Sequence, residues 1–318
     1  MRRVRFHSHG DPEVLRVEEA EAPVPGPGDL LVRPEAIGVT LPMVRRVRGG
    51  GPLPGLPGDE LAGEVVALGP GTTGFAVGDR IAALGHPGAY AELALAPARM
   101  ASRIPDGVGA AQAVALVRGG HVALAALDTA ALRDGESVLI TAAAGATGHL
   151  AVQLAALQGA SRVVAAVSTP EKAAFARALG ADEAVTYDQE SWGAPVDVVL
   201  DGAGGDLLPR ALGALAPGGR LIQFSSGGGT LLAHDLLAGA KTVTGMTMRH
   251  FATTRPERYA EHRARLWELA ASGRLRATIH AELPLSDAAA AHRLIEARAN
   301  LGKVVLRPDA AWGSEAAG

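Results

Sequence analysis

The sequence predicts an α/β chain, a doubly wound parallel six-stranded sheet preceded by a small barrel-like β domain. Three observations predict it. The first third breaks into short apolar or alternating runs divided by Gly/Pro punctuation. From about Ala110, alanine-rich helical segments alternate with short apolar strands. Within the second part, "TAAAGATGHLAVQLAALQG", residues 141–159, reads as a tight turn feeding a helix, with Leu150, Leu154 and Leu157 at helical spacing.

In chain order, "VRFHSHG", "EVLRVEEA", "DLLVRPEAIGV", "LAGEVVALG", "DRIAAL" and "YAELALAP" are the strand candidates of the first domain. "PVPGPGD" and "GGGPLPGLPGDE" are turns between them. Six further strands are expected at 138–140, 162–167, 183–187, 197–201, 220–224 and 242–246. Helical patterns such as "TPEKAAFARALGA" and "LLPRALGALAPGG" separate most of them, as a parallel βαβ sheet requires. The remainder, "ERYAEHRARLWELAASG", "ATIHAELPL", "SDAAAAHRLIEARAN" and "GKVVLRP", reads as helix, strand, helix, strand. It is too small to fold alone and is expected to complete the first domain.

The 318 residues suffice for two domains, and a formal net charge of -3 with 20% charged residues gives no electrostatic reason to expect nucleic acid or an acidic membrane. Cysteine is absent, which removes disulfides, thiolate nucleophiles and cysteine-ligated zinc. The N-terminal "MRRVRFHSHGDPEVL" turns polar before an apolar core develops, so it does not read as a signal peptide. No uninterrupted run of ~18 apolar residues is seen, and a cytoplasmic protein without a membrane span is the expectation.

The turn "AAAGATG" keeps Gly145 and Gly148 but carries Ala143 where a dinucleotide fingerprint begins with glycine. Backbone N–H groups of Ala144, Gly145, Ala146 and Thr147, at a helix N-terminus, are suited to a pyrophosphate. Without a ligand the same residues make a plain strand-to-helix turn. About 20 residues on, an NAD site wants a carboxylate for the ribose 2′-OH. Here Ser168-Thr169-Pro170 stand instead, and Lys172 follows one turn into the helix. A hydroxyl removes the repulsion toward a 2′-phosphate and a lysine neutralises it, so the expected cofactor is NADPH. Lysine stands only at 172, 241 and 303; the plain alternative is a solvated Lys172.

These stretches, with "GDPEVLRVEE", "PGDELAGEVVALGPGTTGFAVGDRI", "GAYAEL", "VDVVLDGAGG", "LAPGGRLIQFSS" and "LGKVVLRP" in the same order, resemble the medium-chain dehydrogenase/reductase superfamily. The branch resembled is the zinc-free, zeta-crystallin-like quinone oxidoreductases, nearly end to end. The resemblance implies a GroES-like catalytic domain at 1–117, a Rossmann NADPH-binding domain at 118–252 and C-terminal completion of the catalytic domain at 253–318. It implies that Ser168, Lys172 and Tyr187 hold the 2′-phosphate end, with Arg298 helping. Phe224, Ser225 and Ser226 would pass the nicotinamide side and Gly202 the adenosine. It further implies a homodimer paired through the β-branched run "KTVTGMTM", Lys241 to Met248.

Departures fall on the substrate side. Where zinc relatives carry "GHE", this chain has Gly58-Asp59-Glu60, expected to cap a turn or pair with an arginine, and no metal is expected. Thr40 replaces the branch's asparagine and can bond a cofactor ribose or carboxamide. Arg45 lies about where a tyrosine belongs; it can hold an oxyanion or sit on a solvated helix face. Val122 stands for the usual threonine, beside His121, which is either a proton donor or a packed residue. His86 and His250 are placed on loops. The function expected is NADPH-dependent reduction of a quinone or an activated C=C bond of a small-molecule substrate. The alternatives are a specialised biosynthetic enoyl reductase or cyclase, and a non-catalytic NADPH sensor.

Overall fold

The computed structural model describes residues 1–224 and 227–309. The chain divides into two units, residues 1–118 with 278–318, and residues 119–277.

The first unit is built on a seven-stranded sheet. Along it run Ile279–Pro284, Lys303–Arg307, Asp29–Gly38, Glu60–Leu68, Arg80–Leu84 and Ala101–Arg103, and Ala94–Pro97 also pairs with Asp29–Gly38. Pairing is antiparallel except between the two C-terminal strands. In Asp29–Gly38 the residues Leu30, Val32, Pro34 and Ala36 point inward while Arg33 and Glu35 are exposed, as one-sided burial demands. The register slips between Pro34 and Ala36, where proline has no N–H for the ladder. Leu30, Val32, Ile37, Leu61, Val65 and Ile81 form the centre of its core.

The second unit holds six parallel strands, Ser137–Thr141, Arg162–Val167, Glu183–Thr186, Val196–Asp201, Leu215–Gln223 and Thr242–Gly245, lying in the order third, second, first, fourth, fifth, sixth. Each of the first two has a single half-buried residue followed only by buried ones, because helices cover both faces. All six expected strands are present: 162–167 has the expected bounds, and the other five differ at one or both ends by up to five residues. The order reverses between the first and fourth strands, and a crevice opens beyond their carboxyl ends in such sheets.

The expected domain limits need correction. The chain returns to the first unit at Thr278, not at 253. Helix Pro256–Ala271 stays with the second unit, where its buried face of Tyr259, His262, Leu266 and Leu269 packs on helix His121–Ala130. Arg258 pairs with Asp128 of that helix at 2.6 Å. Periodicity marks which face of a helix is buried but not what it is buried against. Residue 118 also falls in the first unit. Among the described residues one helical run, Ala110–Ala130, is long and apolar enough to cross a membrane by length and composition, though Gln112, Arg118, His121 and Asp128 interrupt it. Its most apolar 18-residue window is 83% buried inside the protein, as for a core helix.

Candidate cofactor and substrate site

At the carboxyl end of the first strand the chain turns sharply into helix Gly148–Leu157. Ala142 adopts a left-handed φ of 50°, and Gly145 N–H closes the turn on the Ala142 carbonyl at 2.9 Å. Gly148 admits the close approach: a Cβ there would lie 2.6 Å from the Ala143 Cα. Ala143, the position without the fingerprint glycine, is fully buried and tolerates its methyl group. The turn stands at the N-terminus of this helix, where the dipole favours negative charge, so the Ala144–Thr147 backbone is suited to an anion. Behind the turn, the ring of His149 is completely buried and its Nδ1 lies 2.9 Å from the Gly145 carbonyl. Burial lowers the His149 pKa to about 4, so the imidazole is neutral and donates from Nδ1 to brace the turn.

Beyond the second strand, Thr169 caps helix Pro170–Ala178 by accepting the Lys172 N–H, with proline at the first helical position. This places the Lys172 Nζ 3.2 Å from the Ser168 Oγ. Two of the residues expected at the 2′-phosphate, Ser168 and Lys172, therefore converge. Tyr187 directly follows the third strand, and its hydroxyl accepts the Ala142 N–H at 2.8 Å. The tyrosine thus ties the third strand to the fingerprint turn.

Sequence reasoning passed over the polar pair at the switch point. Thr141 and Asp201 end the first and fourth strands, both fully buried. The Thr141 hydroxyl donates to Asp201 Oδ1 at 2.7 Å and accepts the N–H groups of Gly202 and Ala203. Asp201 also accepts the Gly204 N–H at 3.1 Å. These bonds hold the loop after the fourth strand, and a Cβ at Gly202 would meet the Phe224 ring at 3.1 Å. The signal was available: a polar residue closing each of two buried apolar runs. Gly202 and Phe224 are therefore neighbours at this crest. Ser225 and Ser226 lie outside the described residues.

His121 opens helix His121–Ala130, is 1% exposed, and sets its ring 4.6 Å from that of Tyr259. His250 is exposed in helix Met248–Thr254, not in a loop.

In the first unit, Thr40 caps helix Leu41–Arg48, its hydroxyl accepting the Met43 N–H at 3.3 Å. Arg45 is half-buried; the solvated face of that helix belongs to Arg48, which pairs with Asp11 and Glu296. His86 lies 2.9 Å from Asp29. Arg298 is exposed, with a left-handed φ of 51° after helix Ala288–Glu296. Asp59 and Glu60 pair with an arginine as expected: Arg118 reaches Asp59 at 2.8 Å and Glu60 at 2.7 Å. Glu60 also contacts Lys303. Carboxylates so engaged, with no histidine or cysteine beside them in "PGDEL", do not fit a zinc site. Among the described residues no group of three or more His, Asp or Glu is arranged to hold a metal ion.

Comparison with known proteins matches residues 26–106 to the alcohol dehydrogenase GroES-like domain and residues 179–306 to the zinc-binding dehydrogenase family. The first unit is thus GroES-like and the second Rossmann-like. The chain is similar to the quinone oxidoreductase of Pseudomonas aeruginosa, 36% identical across 96% of this chain and 99% of that one. It is also similar to the 2-haloacrylate reductase of a Burkholderia species, 32% identical across 96% and 98%. The solved structure of Escherichia coli quinone oxidoreductase complexed with NADPH superposes with a TM-score of 0.90 at 31% identity, over 97% of this chain and 100% of that one.

Proposed function

This chain belongs to the quinone oxidoreductase, zeta-crystallin-like branch of the medium-chain dehydrogenase/reductase superfamily, and from that premise we propose that it is an NADPH-dependent reductase of quinones or activated C=C bonds. When bound, NADPH supplies the hydride. Ser168 and Lys172 hold its 2′-phosphate, the N–H groups of Ala144, Ala146 and Thr147 hold the pyrophosphate over the turn that Gly145 closes, and Gly202 and Phe224 border its path. Tyr187 and His149 keep the turn in shape. Arg298 enters from the resemblance, for the phosphate end; Thr40 and Arg45, which replace the branch's asparagine and tyrosine, enter from their own chemistry, Thr40 for a ribose or carboxamide and Arg45 for the oxyanion of the reduced substrate. His121, buried against Tyr259, is assigned to packing, and water delivers the proton to the reduced product.

The observation that carries the cofactor choice is the Lys172–Ser168 contact of 3.2 Å where an NAD site would place a carboxylate. We extend the proposal to a cytoplasmic two-fold homodimer through Lys241 to Met248, whose strand Thr242–Gly245 is one edge of the parallel sheet. An enoyl reductase role falls within the same chemistry. The test is NADPH oxidation against a panel of benzoquinones, naphthoquinones, enones and 2-haloacrylate. Turnover of at least one class, faster with NADPH than with NADH, is expected. Tight NADPH binding without oxidation of any acceptor would overturn the enzyme reading in favour of a sensor.

A further inference from the structure

Among the described residues Glu60 is the most deeply buried carboxylate of the first unit, and the proposed reaction does not use it. It is 0% exposed, and a side chain at Gly38 would occupy the space of its carboxylate. One oxygen accepts from the Arg118 Nε at 2.7 Å and the other meets Lys303, itself 2% exposed. Two cations about one buried carboxylate satisfy it, and Asp59 balances the second charge through Arg118.

The positions of the two cations along the chain give the cluster its meaning. Arg118 is the last residue before the chain leaves the first unit, and Thr278 is the first after it returns. The Lys303 N–H donates to the Thr278 carbonyl at 2.9 Å, so one carboxylate secures both passages. The outgoing passage is itself unusual. Leu116–Gly120 forms a π-turn between two α-helical segments, a geometry frequent at functional sites. Directly after Arg118, Gly119 lies against the fingerprint turn: a Cβ there would stand 2.5 Å from the Ala146 carbonyl.

We propose that Glu60 is a positioning residue that anchors both passages of the chain and relays occupancy of the Ala144–Thr147 turn through Gly119 and Arg118 to Lys303 and Thr278. The inference rests on the reading of that turn as the pyrophosphate site. A ligand there bears on Ala146, Ala146 bears on Gly119, and any shift of the π-turn moves the Arg118 guanidinium against Glu60. No change in the nicotinamide chemistry is implied.

The test is amide hydrogen exchange on the full chain with and without saturating NADPH, in wild type, in Glu60→Gln and in the charge-balanced Glu60→Gln/Lys303→Met. The double variant leaves no lone buried charge if the single one fails to fold. In wild type, NADPH is expected to slow exchange in residues 142–149 and in residues 278–283, the latter by about tenfold for a coupling of ordinary size. In both variants the protection of 142–149 should persist and that of 278–283 should vanish. Reciprocity requires NADPH to bind the variants about tenfold more weakly. Protection of 278–283 that survives in a folded variant, or is absent from wild type while 142–149 is protected, overturns the relay alone. Failure of NADPH to protect 142–149 in wild type overturns the pyrophosphate reading and the relay with it.

Discussion

Replacing Lys172 with alanine removes the one ammonium that lies within 3.2 Å of Ser168 at the second-strand end. Only NADPH carries a phosphate there, so the loss should fall on NADPH and spare NADH. A charge-assisted contact is worth ~1.5–3 kcal/mol, and Lys172 is half-buried, which keeps solvent screening moderate. Since ~1.4 kcal/mol is tenfold in a dissociation constant, NADPH affinity should fall roughly tenfold to a hundredfold. Adding Ser168→Asp puts a carboxylate where the hydroxyl stands, which repels the phosphate and can accept the 2′-OH of NADH. That double variant should reverse the cofactor preference. Fluorescence titration of each reduced cofactor into wild type and the two variants measures all six constants. Equal losses for NADPH and NADH on Lys172→Ala would refute the placement of the 2′-phosphate.

Tyr187→Phe removes the acceptor of the Ala142 N–H, a bond worth ~0.5–1.5 kcal/mol, so both cofactors should weaken alike by a few-fold; a loss confined to NADPH would return the hydroxyl to the phosphate. His149 and His292 both have pKa values lowered to about 4 by burial. The unfolded chain therefore binds more protons between pH 6.5 and 4, and stability present above pH 6.5 drains away as the pH falls through that window. From pH 7 to 5 each costs on the order of 2 kcal/mol in a denaturant titration of the cofactor-free protein, and equal stability at the two pH values would contradict their neutral burial. His121→Asn should leave turnover within about threefold while lowering the melting temperature, whereas loss of a general acid would cost ~10²–10⁴-fold. Thr242→Lys with Thr244→Lys sets like charges on the sheet edge and should convert a dimer to monomers by light scattering; a wild type that is already monomeric at micromolar concentration sinks the pairing.

Much of this architecture was legible because it depends on local periodicity. Apolar runs separated by helical patterns mark a parallel sheet wherever they occur, since strands covered on both faces need apolar residues throughout. Turn chemistry was legible for the same reason: Gly148 and the Thr169-Pro170 start act within a few residues of themselves. The convergence of Ser168 and Lys172 follows from one turn of helix and needed no tertiary information.

Partnership across long separations was not legible. Helix Pro256–Ala271 shows an apolar stripe in its sequence, but only the folded chain assigns that stripe to the His121–Ala130 helix. Arg45 sits among arginines, yet packing decides that it is half-buried and that Arg48 takes the solvent. The hydroxyl of Tyr187 goes to Ala142, 45 residues away, and Glu60 meets Lys303 across 243. By itself the sequence determined the layers, the turns and the cofactor class, because periodicity and capping are set by neighbouring residues. Only the tertiary structure decided which buried polar groups satisfy one another, because a charge taken out of water is held by whatever partner the fold brings to it.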